Sequence, residues 1–292
     1  MSGSTSATAV SVLLLRGEDT AGGGGGGELA TRDAYEEALG QLRWAVTTLP
    51  VLGFERNQRG LDGLVAALPN DARPPAIIAT SPRAVWAVLA LREGGGACTS
   101  GGTAAQRAFE ALLKCPWYVV GAATARAACD MGVAEVRRRG SGSAEALVAA
   151  CKEEWSSISA AGKSFIFLCG DLRRSTVPAA LDAMKAKWLE AVVYCTVPRP
   201  PTAESLTRAA EAGHTAIICF FSPSGVSEPV VEWIKSRPSH QPTLVAAIGP
   251  TSASAAREAG LQVHCVAAKP DAPHLVAACV DAVALANAPS VS

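Results

Sequence analysis

A chain of 292 residues can hold one large domain or two of ordinary size. Half of it is apolar and only 5% aromatic, so the core is aliphatic. A formal net charge of zero argues against a nucleic-acid coat protein or a polybasic membrane binder.

No apolar run approaches the ~20 residues of a membrane span. The first nine residues, rich in Ser, Thr and Ala, read as a loose tail and not as a signal peptide, so a cytoplasmic location is expected, or a plastid if a transit peptide has been removed. Nine cysteines, odd in number, irregularly spaced and without a C-x-x-C pair, read as small core residues in a reducing compartment.

Residues 10–15 form the first expected strand, ended by Arg16-Gly17. Six glycines, Gly22 to Gly27, follow as low-complexity loop. Asp33 and Glu36 then suggest a capping box for a helix whose inward face is Tyr35, Leu39, Leu42 and Val46. Residues 49–55 are extended and contain Pro, as are residues 192–199, so the two read as linker strands. They would enclose residues 56–191 as an inserted domain and leave 1–48 with 200–292 as a discontinuous one. Inside the insert, strands are expected at 77–80, 118–120, 133–139 and 165–168. Helices are expected at 82–92, 124–131 (stopped by Gly132), from Ser143 through Leu147, Cys151 and Trp155, and at 177–189 with Leu181, Met184 and Trp188 inward. Residues 94–102 read as loop. After the second linker, Thr202 caps a helix ending at Gly213. The run 216–221 is a buried strand followed by a helix to Lys235, 245–248 a strand, and Thr251 caps a helix closed by Gly260. Residues 263–267 are a strand and 273–285 the last helix. This alternation of strands and helices implies parallel α/β layers.

The apolar run 216–221, broken by Ser222-Pro223-Ser224-Gly225, has a counterpart in 76–80, broken by Ser81-Pro82-Arg83. Each is followed by another strand–turn pair: 117–120 with Gly121 to Thr124, and 245–248 with Gly249 to Ser252. Residues 12–18 likewise resemble 165–171, which lead into Gly170 to Arg174. The expected fold is therefore two similar, flavodoxin-like, parallel-sheet α/β domains joined by a two-stranded linker, one inserted in the other. In such sheets ligands sit at the carboxyl ends of the strands. The candidate ligand-binding residues are Arg16, Ser81, Arg83, Gly121, Thr124, Arg173, Ser222, Ser224, Gly225, Gly249 and Thr251, placed where helix N-termini and hydroxyls favour anions. Any single Ser or Thr among them reads more readily as a helix cap; it is the six turns in a duplicated arrangement that point to a cleft for anionic groups.

Other motifs fail on inspection. Gly162-Lys163-Ser164 lacks the earlier glycine of a phosphate loop, since Ser157 stands there, and it precedes a strand. Ser222 and Ser224 lack the flanking glycines of a nucleophile elbow. The histidines His214, His240, His264 and His274 have no metal-ligand spacing, and no G-x-G-x-x-G follows a strand. Tyr194, in the second linker, either packs on Phe54 or Leu52 or turns a phenol toward the cleft between the domains as a proton or hydrogen-bond donor. A non-catalytic two-domain protein that closes on an anionic small molecule fits the same features. A glycosyl- or phosphoryl-transfer enzyme would need a carboxylate pair or metal ligands that are not evident.

The segments Leu13-Leu-Leu-Arg16, Leu49-Pro-Val-Leu-Gly-Phe-Glu55, Thr80-Ser-Pro-Arg-Ala-Val85, Tyr118-Val-Val-Gly-Ala-Ala-Thr-Ala125, Leu168-Cys-Gly-Asp171, Val193-Tyr-Cys-Thr-Val197, Phe220-Phe-Ser-Pro-Ser-Gly225 and Ala247-Ile-Gly-Pro-Thr251 occur in one order along the chain. In that ordered set the sequence resembles the uroporphyrinogen-III synthase family, in its eukaryotic form. The resemblance implies a cofactor-independent, cyclising hydro-lyase with its active site in the cleft between two α/β domains. The implied substrate is hydroxymethylbilane, an acidic linear tetrapyrrole, with no nucleic-acid or membrane partner. A monomer is implied, with transient contact to hydroxymethylbilane synthase. Tyr194, Thr124, Arg83, Ser81, Ser222, Ser224 and Thr251 match cleft positions of the family, Tyr194 as the catalytic candidate.

Overall fold

A computed structural model describes residues 10–17, 33–68, 76–93, 103–138, 140–211, 215–238 and 240–288. Gly22 to Gly27 and residues 94–102 lie outside them, as do Cys98 and His214. The chain forms two compact units: residues to Gly53 together with those from Pro198, and Phe54–Val197.

In the first unit the strands are β1 (Val10–Gly17), β2 (Ala45–Arg56, which runs on past Gly53), β8 (Thr215–Phe220), β9 (Thr243–Ala247) and β10 (Cys265–Val266). They lie in the order β10-β9-β8-β1-β2, all parallel. Counted along the unit this is 2-1-3-4-5, the flavodoxin-like winding. In the second unit β3 (Ala76–Ala79), β4 (Pro116–Val119), β5 (Glu135–Arg137), β6 (Phe165–Gly170) and β7 (Trp188–Pro198) lie as β7-β6-β3-β4-β5, also parallel. Counting from β6 gives 2-1-3-4-5 again, so the second sheet is a circular permutation of the first. The sequence pairs 12–18 with 165–171, 76–80 with 216–221, and 117–120 with 245–248 occupy equivalent sheet positions.

Both sheets are buried on both faces, which is why their central strands are unbroken apolar runs. In the first unit, Leu13, Leu15, Ile218 and Phe220 pack beneath α8 (Ala203–Ala210) and α9 (Glu228–Ser236). Val12, Leu14, Ile217 and Cys219 pack beneath α1 (Ala34–Gly40) and α11 (Ala272–Ala286). In the second unit, Ile77, Trp117, Ile166 and Leu168 face α2 (Gln58–Ala67), α3 (Pro82–Glu93), α4 (Ala104–Lys114) and α5 (Ala122–Met131). Ile78, Tyr118, Phe165 and Phe167 face α6 (Ala144–Ala160) and α7 (Thr176–Ala183). Burying each such side chain contributes roughly 1.5–3 kcal/mol. Among the described residues no helix is long and apolar enough to cross a membrane.

Several elements depart from the sequence expectation. Helix α1 stops at Gly40, Arg43 turns with φ 60°, Leu42 is exposed, and Val46 pairs with Val12 in β2. Asp33 caps α1 through the Tyr35 and Glu36 amides, while the Glu36 carboxylate accepts from the Thr48 hydroxyl at 2.5 Å, so the capping box stays half made. Helix α7 ends at Ala183 and Lys185 takes φ 51°; Trp188 then opens β7 opposite Phe165. Helices α2 and α4 were not expected, although α4 carries a complete Thr103–Gln106 capping box. Ser222 does not start α9: Pro223–Gly225 form one 3-10 turn, and α9 begins after Ser227. Gly249, and not Thr251, is the N-cap of α10 (Pro250–Glu258). Helix α5 starts at Ala122, two residues early, and β5 and β10 are shorter than expected. Cys115, Cys151, Cys169, Cys219 and Cys279 are buried as expected, but Cys129 is exposed.

Candidate active site

The winding of the second unit reverses between β6 and β3, and a pocket of about 420 Å³ opens at the carboxyl ends of β3, β6 and β7. This is where an open parallel sheet leaves a crevice for a ligand. Ser81, Arg83, Arg173 and Tyr194 all line it, together with Gly170, Arg174, Glu145 and Thr176. Two other hollows of the unit, of about 270 and 440 Å³, lie at the starts of β3 and β4 and against α2, α3 and α4.

Each wall has a local cause. Pro82 occupies the first position of α3, where no amide hydrogen is needed, and the Ser81 hydroxyl accepts the Arg83 amide at 3.2 Å. The Arg83 guanidinium lies 3.6 Å over the Phe54 ring. The Tyr194 ring meets the same Phe54 edge-on, centroids 6.0 Å apart, so the packing expectation for this tyrosine is met. The phenol nonetheless borders the pocket. Gly170 is buried directly under it, and a larger residue there would have to displace the Tyr194 ring. Ser143 caps α6 through the Ala146 amide, bringing a second helix start to the pocket. Glu145 beside it keeps its carboxyl below the ordinary range, through its own backbone amide first and the Thr176 hydroxyl at 2.9 Å second.

Arg173 is engaged by an acid. Its Nε and Nη2 both meet Glu190 of β7, the latter at 3.0 Å, and these hydrogen bonds hold the Glu190 carboxyl below its usual range. The Cys169 thiol, 3.6 Å from Glu190, is pushed up to about 12 by burial and by that carboxylate, so it stays protonated. Thr124 is 2% exposed in the first turn of α5 and does not line the pocket; Gly121 caps that helix with φ 82°.

The remaining candidates belong to the first unit. Arg16 pairs with Asp33 at 2.7 Å and lies 5.7 Å over Phe221, whose ring Tyr35 meets edge-on. The Ser222 and Ser224 hydroxyls are 2.6 Å apart. Gly225 is buried against Phe220 and Leu15, and Thr251 is exposed on α10. Sequence reasoning passed over Glu190 and Glu145, and reached Arg174 only as the end of the turn from Gly170.

Over residues 33–277 the sequence matches the family described as uroporphyrinogen-III synthase HemD. The chain belongs to that family. Family membership puts the chain in tetrapyrrole biosynthesis and gives it the activity class of a cyclising lyase. Among solved structures the chain is similar to uroporphyrinogen-III synthetase from Helicobacter pylori, at 17% identity over 92% of this chain and 98% of that one, with a TM-score of 0.47. It is also similar to a mutant uroporphyrinogen III synthase from Thermus thermophilus, at 15% identity over 94% and 100%, TM-score 0.40. For the wild-type protein of that bacterium the values are 16%, 95%, 100% and 0.35. In this member of the uroporphyrinogen-III synthase family, the pocket at the β6–β3 reversal is the candidate site.

Proposed function

We propose that this chain converts hydroxymethylbilane to uroporphyrinogen III, closing the ring with inversion of its last pyrrole and loss of water, as a hydro-lyase. The observation that carries this reading is the family match over residues 33–277. The pocket supports it, because hydroxymethylbilane carries eight carboxylates and the pocket gathers arginines, hydroxyls and the starts of α3, α6 and α7. Its volume suits part of a linear tetrapyrrole.

Departure of the terminal hydroxyl, which leaves as water after taking a proton, gives an azafulvene stabilised by its own pyrrole. The substituted carbon of the last ring attacks it, the spiro intermediate reopens, and the ring recloses inverted. Tyr194 assists as hydrogen-bond donor to the departing hydroxyl. Ser222 and Thr251 remain proposed carboxylate contacts, whereas Thr124, buried in the first turn of α5, is left to a helix-packing role. The larger contribution is positional: holding the two reacting ends together can be worth about 7–11 kcal/mol. The enzyme is proposed to act as a monomer, taking its short-lived substrate in transient contact with hydroxymethylbilane synthase. Its free thiols suit a reducing compartment such as the cytoplasm.

The test supplies enzymatically generated hydroxymethylbilane and resolves the product isomers. Isomer III in place of the spontaneous isomer I is expected. Isomer I alone, at the uncatalysed rate, would make the chain a binding protein without turnover.

A further inference from the structure

Arg173 and Arg174 are neighbours in one turn and line one pocket, yet their surroundings differ. Arg173 is held by Glu190 through two parallel hydrogen bonds, a fork that fixes the guanidinium and cancels its charge. Arg174 makes no hydrogen bond or ion pair among the described residues. Glu145 feels its charge only weakly through space, and that carboxylate is engaged by the Thr176 hydroxyl. The turn is also fastened to β7 by Asp171, whose amide donates to the Tyr194 carbonyl at 3.2 Å and whose carboxylate accepts the Thr196 amide at 2.9 Å. Glu190, Tyr194 and Thr196 thus hold the turn from one strand.

We infer that Glu190 is a positioning residue which makes Arg173 a strut, and that of the two neighbours Arg174 is the carboxylate-binding cation. This rests on the reading of the pocket as the site for an acidic tetrapyrrole. Arg174 keeps all five N–H donors for a carboxylate that enters. If Arg173 were released, two adjacent cations would compete for one carboxylate. The substrate would then bind more tightly but in mixed registers.

The experiment uses the full chain and two readouts. One is binding of uroporphyrin III, a fluorescent octacarboxylate, followed by quenching at low ionic strength; the other is turnover of hydroxymethylbilane with isomer analysis. Arg174→Gln should weaken uroporphyrin binding about tenfold or more, and Arg174→Lys should recover part of the loss. Glu190→Gln should have the opposite effect on binding, with Kd and KM lowered several-fold, kcat also lowered, and the isomer I fraction raised. The double variant R173Q/E190Q should lose clearly less affinity than Arg174→Gln. A merely structural Glu190 would weaken binding when replaced, and that result would overturn the inference. So would an Arg174→Gln variant with wild-type affinity. Wild-type protein that yields only isomer I, with the binding contrasts intact, would overturn the proposed reaction and leave the division between the two arginines standing.

Discussion

Gly170 lies beneath the ring of Tyr194, so closely that a Cβ built on the glycine would sit 2.8 Å from the phenol oxygen. The last residue of β6 therefore sets where the hydroxyl borne by β7 can be. Gly170→Ala must push the ring aside, and a displacement of about 1 Å at a reacting group can cost roughly 10²-fold in rate. The expected result is turnover down by about that factor with an unchanged circular dichroism spectrum. Full activity would show that the phenol's position is immaterial.

Tyr194→Phe keeps the edge-on contact with Phe54 and removes only the hydroxyl. Loss of a positioned proton donor should lower kcat by about 10²–10⁴-fold, and the isomer I fraction should rise as substrate escapes to cyclise alone. The double variant G170A/Y194F should be little worse than Y194F, since both act through one group. An additive loss would separate the two residues.

Much of the fold was legible because buried parallel strands write themselves as apolar runs ended by turns, and the same runs occur twice. What escaped depended on pairing. Leu181, Met184 and Trp188 keep a helical period, but Trp188 is taken by β6 opposite Phe165, and the period alone cannot show this. Helix α4 went unassigned after a Gly/Ser/Thr stretch, although its capping box was readable in Thr103 and Gln106. At the site, Ser81, Arg83 and Arg173 were readable as strand-end residues and Tyr194 as a linker-strand residue, and the four share a pocket. The Glu190 clamp was not, because it exists only through the register that puts Phe167 beside Glu190.

The clamp has a pH signature. Hydrogen bonds from Arg173 hold the Glu190 carboxyl below its usual 4.5. A carboxyl depressed on folding stabilises the protein above its unfolded-state value, and that stabilisation is lost as pH falls through the lower folded-state value. Melting temperatures of wild type and Glu190→Gln should therefore differ near pH 7 and converge toward acid. A gap that persists below the folded-state value would assign the stabilisation to packing instead.

Gly121 begins α5 at φ 82° and ψ 154°, a region reached almost only by glycine. Nothing lies within 4 Å of where its Cβ would be, so a substitution there meets backbone strain and no steric contact. Gly121→Ala should lower unfolding stability by about 1–3 kcal/mol in urea titrations, and Gly121→Val by more, because β-branching narrows the backbone further. Equal stability for all three would mean that the α5 start relaxes at no cost.

Thiol reactivity offers a probe of the pocket floor that needs no substrate. Burial pushes the Cys115 thiol up to about 11, and burial with the Glu190 charge pushes Cys169 to about 12. At pH 8 the Cys169 thiolate fraction is then on the order of one in ten thousand, and alkylation requires the thiolate. Cys129 stands exposed on α5. Brief iodoacetamide treatment of native protein, read by peptide mass mapping, should label Cys129 while sparing Cys115 and Cys169; in denaturant all three should react. Because Cys169 lies against Glu190, Glu190→Gln should speed its labelling relative to Cys115 on the far side of the unit's sheet. Equal protection of both thiols in that variant would mean that the floor of the pocket holds without the clamp.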